Sequence, residues 1–407
     1  MNLNLKIAWL NVWRRKTRSL LVILMIGVSM SAMLAIQGLY DGMTKHMIES
    51  TLRSESGEVS IFAASYRLHQ NLKYHLKDTQ GIVEEIEKIP EVTSVVQRIR
   101  VMGLASTARK STLAKLVGVD VANEKAFGAL DEFIVEGRLT FGENGDGAVI
   151  GKKLAEDLTI EVGDRVIFSA QDRHGELSAV SLRIKGVLQT TNRAIDDFAL
   201  FVSLEKSRVI TALGKDESTE VALRLQPDAD IDTIKQTLKE SWPALEIYSW
   251  KELYPALEQM QVMMTIFNGI TFGIVMTMVF IGILGVMFVS ILERIREFGI
   301  LLAIGEPYRF LRRQVIYEAM MLGVGGYLFG VVAGSISLLY LQKYGLDLSS
   351  FSAGLAEFGM ESILYATIKF NYFTTTFAAI LLAALLSVVL PLRKLKKLNP
   401  IEVIQGE

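Results

Sequence analysis

Cysteine is absent from the 407 residues, which excludes disulfides, thiolate metal sites and a cysteine nucleophile. Histidine is scarce as well. His46, His69, His75 and His174 stand apart, with no i,i+4 pair and no adjoining carboxylate cluster, so the spacing of a zinc site is missing. A dominant charge is also lacking: the formal net charge is −1, which gives no overall field to attract nucleic acid. No Ser-His-Asp set and no paired carboxylates can be argued from the pattern, so neither a catalytic site nor a bound metal is expected. "GDGAVIGKK" (145–153) resembles a phosphate loop at first glance, but G-x-x-x-x-G-K needs glycine where Asp146 stands. A turn between strands is expected there.

What the chain has instead is apolar length. Half of it is hydrophobic and mean hydropathy is +0.33, too apolar for an ordinary soluble enzyme and too charged to lie wholly within a bilayer. Four stretches carry no Asp, Glu, Lys or Arg: Ser19–Tyr40, Gln259–Leu292, Ala319–Gln342 and Phe370–Leu392. Each reaches the roughly 20 residues that a spanning helix needs. The first is too long for the apolar core of a secretion signal and has no clear small-x-small cleavage site near 38–41, so it reads as a retained span.

Basic residues set the orientation. Lys6, Arg14, Arg15, Lys16 and Arg18 precede the first span. Arg294, Arg296, Arg309, Arg312 and Arg313 lie between the second and third, and Arg393, Lys394, Lys396 and Lys397 follow the fourth. The positive-inside rule puts all three clusters, and both termini, on the cytoplasmic side. The chain then divides into a cytoplasmic segment (1–18), span one (19–40), a large outer domain with a stalk (41–258) and span two with a stalk (259–292). A cytoplasmic helix and loop (293–316), span three (317–342), an outer loop (343–369), span four (370–392) and a cytoplasmic tail (393–407) complete it.

Beyond Tyr40, Asp41–Lys45 and Glu49–Arg53 are acid-then-base pairs four apart, the favourable order on a helix. Span one is therefore expected to continue outward as a stalk. Gln259–Leu292 supports this, being about 50 Å long as a helix against roughly 30 Å of hydrocarbon. In the outer domain, strand-like "GEVSIF" (57–62), helix-like "TQGIVEEIEKI" (79–89) and strand-like "VTSVVQRIRV" (92–101) are echoed by "EVALRL" (220–225), "DIDTIKQTLKES" (230–241) and "LEIYSW" (245–250). Two β-α-β units flanking an insert predict a helix-covered sheet completed from both ends of the domain. The insert, about 107–205, is richer in β-branched residues and turn signals and reads as a mostly β lobe. The fold class is an α-helical membrane protein with four transmembrane helices plus a large α+β outer domain.

Gly326, Gly330 and Gly334 recur every fourth residue in span three, just after Gly323. Small residues in that register let a neighbouring helix approach closely. Ala379, Ala383 and Ser387 in span four repeat the spacing, as do Gly269 and Gly273 in span two. Four spans make a small bundle, for which a dimer or pseudo-dimer is the natural completion.

After span two comes "ERIREFGILLAIG" (293–305). On a helical wheel Ile291, Ile295, Phe298 and Leu302 share one side, while Glu293, Arg296, Glu297, Ile300 and Ile304 share the other. Glu293–Arg296 and Arg294–Glu297 have i,i+3 pairing distance. One face suits the bundle. The other, apolar anchors among balanced charges, suits a protein partner better than lipid headgroups.

That stretch, followed by "LRRQVIYEAMMLGVGGYLFG", resembles the signature of FtsX-domain permeases, the MacB-like or type VII group of ABC transporters. "DGAVIGKKLAEDLTIEVGDRVIF" resembles their periplasmic domain and "PLRKLKKLNPIEVIQGE" their C-terminal end. "AWLNVWRRKTRSLLVILMIGVSMSAMLAIQGLYDGM" resembles the start of the lipoprotein-releasing LolC/LolE branch. Glu306-Pro307 departs from the family pattern, which more often has a small and then a polar residue.

The resemblance implies a bacterial inner-membrane permease subunit with a periplasmic domain and no ATPase motif of its own. ATP and Mg would be used by a separate ABC ATPase dimer, and the chain itself would bind no cofactor. Glu293, Arg294, Arg296, Glu297, Phe298, Ile300 and Ile304 would form a coupling helix contacting that ATPase. A lipoprotein or other amphiphilic substrate would meet Ile36, Leu39, Tyr40, Met43, Met260, Met263, Met264 and Phe267, flexible Met side chains suiting varied apolar ligands. Further partners would be a second permease, identical or paralogous, and a periplasmic chaperone or adaptor. Lipoprotein release toward the outer membrane is the leading expectation. A MacB-type tripartite efflux permease and FtsX-like signalling to a periplasmic partner are the alternatives.

Overall fold

The computed structural model of the protein describes residues 3–142, 145–190, 192–351 and 363–396. Glu143 and Asn144 of "GENGDG", the middle of the 343–369 loop and most of the C-terminal tail, Lys397 included, lie outside the described residues. The chain forms two compact units, one built on the spans and one of residues 45–260.

Among the described residues of the first unit, four helices are long and apolar enough to cross a membrane. They run Lys16–Thr51, Pro255–Glu293, Tyr308–Tyr344 and Phe370–Ser387. The first, of 36 residues, is about 54 Å long and the second, of 39, about 58 Å, so both exceed the roughly 30 Å of hydrocarbon. The third begins at Tyr308, so 308–316, read from sequence as part of the loop, are already its first turns. A further helix not expected from sequence, Leu3–Arg14, precedes the first span.

All four spans contribute a stripe at i,i+4 spacing to one core: Val22, Ile26, Met30 and Leu34 from the first, Val279, Ile283, Met287 and Ile291 from the second, Leu311, Val315 and Ala319 from the third, and Ile380 with Ala384 from the fourth. The third adds its glycines. A Cβ added at Gly326 would lie 2.5 Å from the Ile26 Cβ, at Gly330 2.7 Å from that of Met30, and at Gly334 2.6 Å from a Leu34 methyl. Only glycine lets the first and third helices approach so closely.

The second unit is organised by a ten-stranded sheet. Its strands, numbered in chain order, are β1 Val59–Ala63, β2 Val92–Ser106, β3 Ser111–Val119, β4 Ile134–Gly137, β5 Gly147–Gly151, β6 Arg165–Gln171, β7 Leu177–Leu188, β8 Ala199–Ser203, β9 Glu220–Leu225 and β10 Leu245–Ser249. β1 pairs antiparallel with both β10 and β9, and β9 pairs antiparallel with β2. The order β10-β1-β9-β2 interleaves the two β-α-β units as a split, ferredoxin-like sheet. Helices Thr79–Ile86 and Ile231–Ser241 bury Ile82, Ile86, Ile234 and Leu238 against Val59, Ile61, Val221 and Leu223. The 15-residue β2 runs on into the insert lobe, where it pairs with β3 and β6.

The stalk-side charges do not pair along the helix as their spacing predicts. The α-helix ends at Thr51 and gives way to a π-turn, Leu52–Ser56, so Arg53 leaves the i+4 position and binds Glu132 at 2.6 Å. Glu49 takes Arg224 at 2.7 Å, and Asp41 is held by Lys369 (2.6 Å) and the Tyr372 hydroxyl (2.5 Å). Glu55, inside the π-turn, gathers Arg100 and Lys115, each at 3.0 Å, and accepts from Asn192 Nδ2 at 2.8 Å. Arg100 also reaches Glu220 at 2.5 Å. Removing one member of so buried a set would leave its partners' charges uncompensated, at about 3–5 kcal/mol.

Candidate functional site

The turn between the second and third spans is built by interrupting a helix. Arg294 (φ −113°, ψ 14°) leaves helical geometry after Glu293, and a nine-residue helix, Ile295–Ala303, follows. Gly305, at φ +96°, then makes the left-handed turn that favours glycine, and Pro307 caps the third span. The break puts Glu293 and Arg296 on different helices, so they do not pair. Arg294 and Glu297 do, at 3.1 Å.

Arginines of the preceding segment hold the turn in place. Glu293 binds Arg15 and, at 2.7 Å, Arg18, while Arg18 also donates to the Val286 carbonyl at 2.9 Å. Arg14 reaches Glu297 at 3.3 Å. Arg294 is largely enclosed: it contacts Glu318 at 3.3 Å and lies 5.0 Å from the Phe298 ring centre. Burial alone would raise the Glu297 carboxyl. Arg294 and Arg14 outweigh that effect and hold it below its ordinary value.

The predicted contact residues therefore separate. Phe298 is 1% exposed and packed in the core cluster with Ile291 and Leu311. Its assignment to a partner surface is corrected: it anchors the helix to its own bundle. Arg294 is turned inward for the same reason. Arg296, Glu297, Ile300 and Ile304 are exposed, the two isoleucines by 50% and 72%. Arg296, Ile300 and Ile304 follow one another at four-residue steps and form a free stripe. Glu293 is exposed but occupied by its arginines.

Sequence reasoning missed Glu318, a carboxylate buried in the third span and met by Arg294 and Ser290. Its signal was a lone acid at the edge of a charge-free run, which membrane helices place inward and pair. The roles of Arg14, Arg15 and Arg18 as clamps were also missed, since a basic cluster there was fully accounted for by topology.

The substrate-facing candidates are mixed. Met263 and Phe267 are about half exposed, and Ile36, Leu39, Tyr40, Met260 and Met264 are partly buried. Met43 is only 8% exposed, so its expected role in meeting a substrate is corrected to packing. Among the described residues no cluster of three or more His, Asp or Glu could hold a metal ion.

Two family models match the chain: a MacB-like periplasmic core domain over residues 19–241 and an FtsX-like permease C-terminal region over 269–400. The lipoprotein-releasing system transmembrane protein LolE of Haemophilus influenzae is 19% identical over 80% of this chain and 80% of its own length. The pyoverdine export ATP-binding/permease protein PvdT of Pseudomonas syringae pv. tomato is 22% identical over 98% of this chain, which spans only 59% of that protein. An uncharacterized ABC transporter permease of Methanocaldococcus jannaschii is 22% identical, covering 98% of this chain and 97% of its own.

Proposed function

We propose that this chain, which belongs to the FtsX-like ABC transporter permeases with a MacB-like periplasmic core domain, docks a separate ATPase on the Ile295–Ala303 helix and releases lipoproteins from the inner membrane toward the outer membrane. The observation that carries the docking reading is the exposed Arg296–Ile300–Ile304 stripe, two isoleucines in line with one arginine, on a helix pinned from behind by Phe298 and Arg294. A partner that grips such a stripe moves the ends of the second and third spans with it, because the helix has no slack of its own. ATP and Mg²⁺ would act in that partner, and two permeases, both termini cytoplasmic, would close together as it cycles. The outer unit would then act on a lipoprotein and hand it to a periplasmic chaperone.

Lipoprotein release is favoured over export by the even coverage of LolE, which matches 80% of both chains. The likeness to PvdT supports the second reading, an exporter working with an adaptor. Ile300→Asp with Ile304→Asp, assayed in membranes, is expected to abolish co-purification of the ATPase while the protein folds normally. Undiminished co-purification would remove the docking assignment. Correct sorting of lipoproteins after depletion of this protein would remove the lipoprotein reading and leave export.

A further inference from the structure

The Leu3–Arg14 helix does more than lead into the first span. Together with the first and third spans it walls an apolar groove of about 610 Å³, lined among others by Trp9, Trp13, Leu20, Ile23, Met320 and Val324. That volume lies within the roughly 300–1,000 Å³ of ligand pockets. Trp9 and Trp13 stay 50% and 51% exposed with their rings 5.7 Å apart, as aromatic side chains do at a membrane–water boundary.

The groove is polarised along its length. The first and third helices run in parallel register, Ile26 beside Gly326, Met30 beside Gly330 and Leu34 beside Gly334. Carried back along both helices, that register sets Lys16, which lines the groove, level with the third helix near Tyr317. Arg313 lies one turn further toward the helix start on the face that carries Tyr317. Lys16 and Arg313 are exposed, and among the described residues neither pairs with a carboxylate, whereas Arg14, Arg15 and Arg18 are all engaged by Glu293 or Glu297. From Tyr317 to Leu328 the lining then runs apolar for about 16 Å, near half of the roughly 30 Å hydrocarbon thickness. Cations at one end and one leaflet's depth of apolar wall match one ligand chemistry.

We propose that this groove selectively holds an anionic phospholipid of the leaflet at the basic end of the spans, its phosphate on Lys16 and Arg313 and a chain along Tyr317–Leu328. The lipid fastens the Leu3–Arg14 helix, and with it Arg14 of the clamp, to the bundle. It is distinct from any transported substrate, and the proposal does not depend on the function proposed above.

The test uses the full chain, reconstituted in bilayers of equal phosphatidylglycerol and phosphatidylcholine, re-extracted in mild detergent and weighed by native mass spectrometry. One phosphatidylglycerol per chain is expected, retained over phosphatidylcholine by about tenfold or more. Lys16→Glu with Arg313→Glu should bring that ratio to near unity, and Val324→Trp should displace both lipids. Equal retention of the two lipids by the wild type, or an unchanged ratio in the charge-reversed variant, would overturn the proposal. The charge reversal alters only exposed side chains, so it decides the matter even where Val324→Trp lowers the yield of folded protein.

Discussion

The second and third spans are almost equal in length, 39 and 37 residues, and both are marked by glycine, yet they use most of it in opposite ways. In the third, Gly326, Gly330 and Gly334 are each pressed by a side chain of the first span. In the second, Gly282 meets Met25 of the first span, but Gly269, Gly273 and Gly285 have nothing within 4 Å of where a Cβ would stand. Around them Ile266, Phe267, Ile270, Ile274 and Met278 are exposed. The same residue type thus closes one helix seam and leaves another face free for lipid or a second permease. The turn joining the two helices keeps the division, with Phe298 packed inside and Ile300 outside.

Leucine placed in both helices would break the comparison most sharply. Gly326→Leu drives a side chain into Ile26, and its cost is expected at or above the roughly 1–3 kcal/mol of ordinary overpacking. Gly273→Leu enters open space and is expected to stay within about ±0.5 kcal/mol. Thermal unfolding in detergent reads both. Equal losses would show that the second span's glycines are packed as tightly as the third's. A normal melt for Gly273→Leu with weakened self-association would instead identify that face as the contact with a second copy.

Within the turn, Phe298→Ala empties a fully buried site and removes the ring beneath Arg294, at an expected 3–5 kcal/mol or so. Ile300→Ala, two residues on, should alter stability by less than about 0.5 kcal/mol and weaken only ATPase binding. A large stability loss for Ile300→Ala, or a small one for Phe298→Ala, would reverse the assignment of inner and outer faces.

The case of Phe298 also shows what was legible in the sequence. The helical wheel grouped it with Ile291 on the bundle side, while the family resemblance placed it among partner contacts, and its burial follows the wheel. Features set by local composition read well: the charge-free runs, the third span's glycine register and both β-α-β repeats. Features set by distant pairing did not. That β1 lies between β9 and β10 is decided by strands some 160 to 190 residues away, and no local pattern carries that. The i,i+4 charge pairs failed for the same reason, since Glu49 and Asp41 each found a partner far along the chain. The Leu3–Arg14 helix escaped notice because twelve residues look like an ordinary basic leader until their packing is seen.

A smaller effect than that of Phe298 is expected at Glu297, on the boundary between the held and free sides of the turn. Its folded-state carboxyl lies below the ordinary 4.5 because Arg294 and Arg14 outweigh the cost of burial. A depressed carboxyl contributes stability above its unfolded value and loses it as pH falls through the folded one. Glu297 and Arg14 are largely exposed, with side chains 49% and 70% accessible, so solvent screening limits the contribution to about 1 kcal/mol or less. Glu297→Gln should therefore lower the thermal midpoint slightly and by a constant amount from pH 8 to 6, roughly the range where the wild-type carboxyl is fully ionised. The gap should then close as the buffer is taken below 4.5. A gap that widens on acidification would mean that Glu297 is strained rather than stabilised by its arginines. The clamp on the turn would then rest on Glu293 and Glu318 alone.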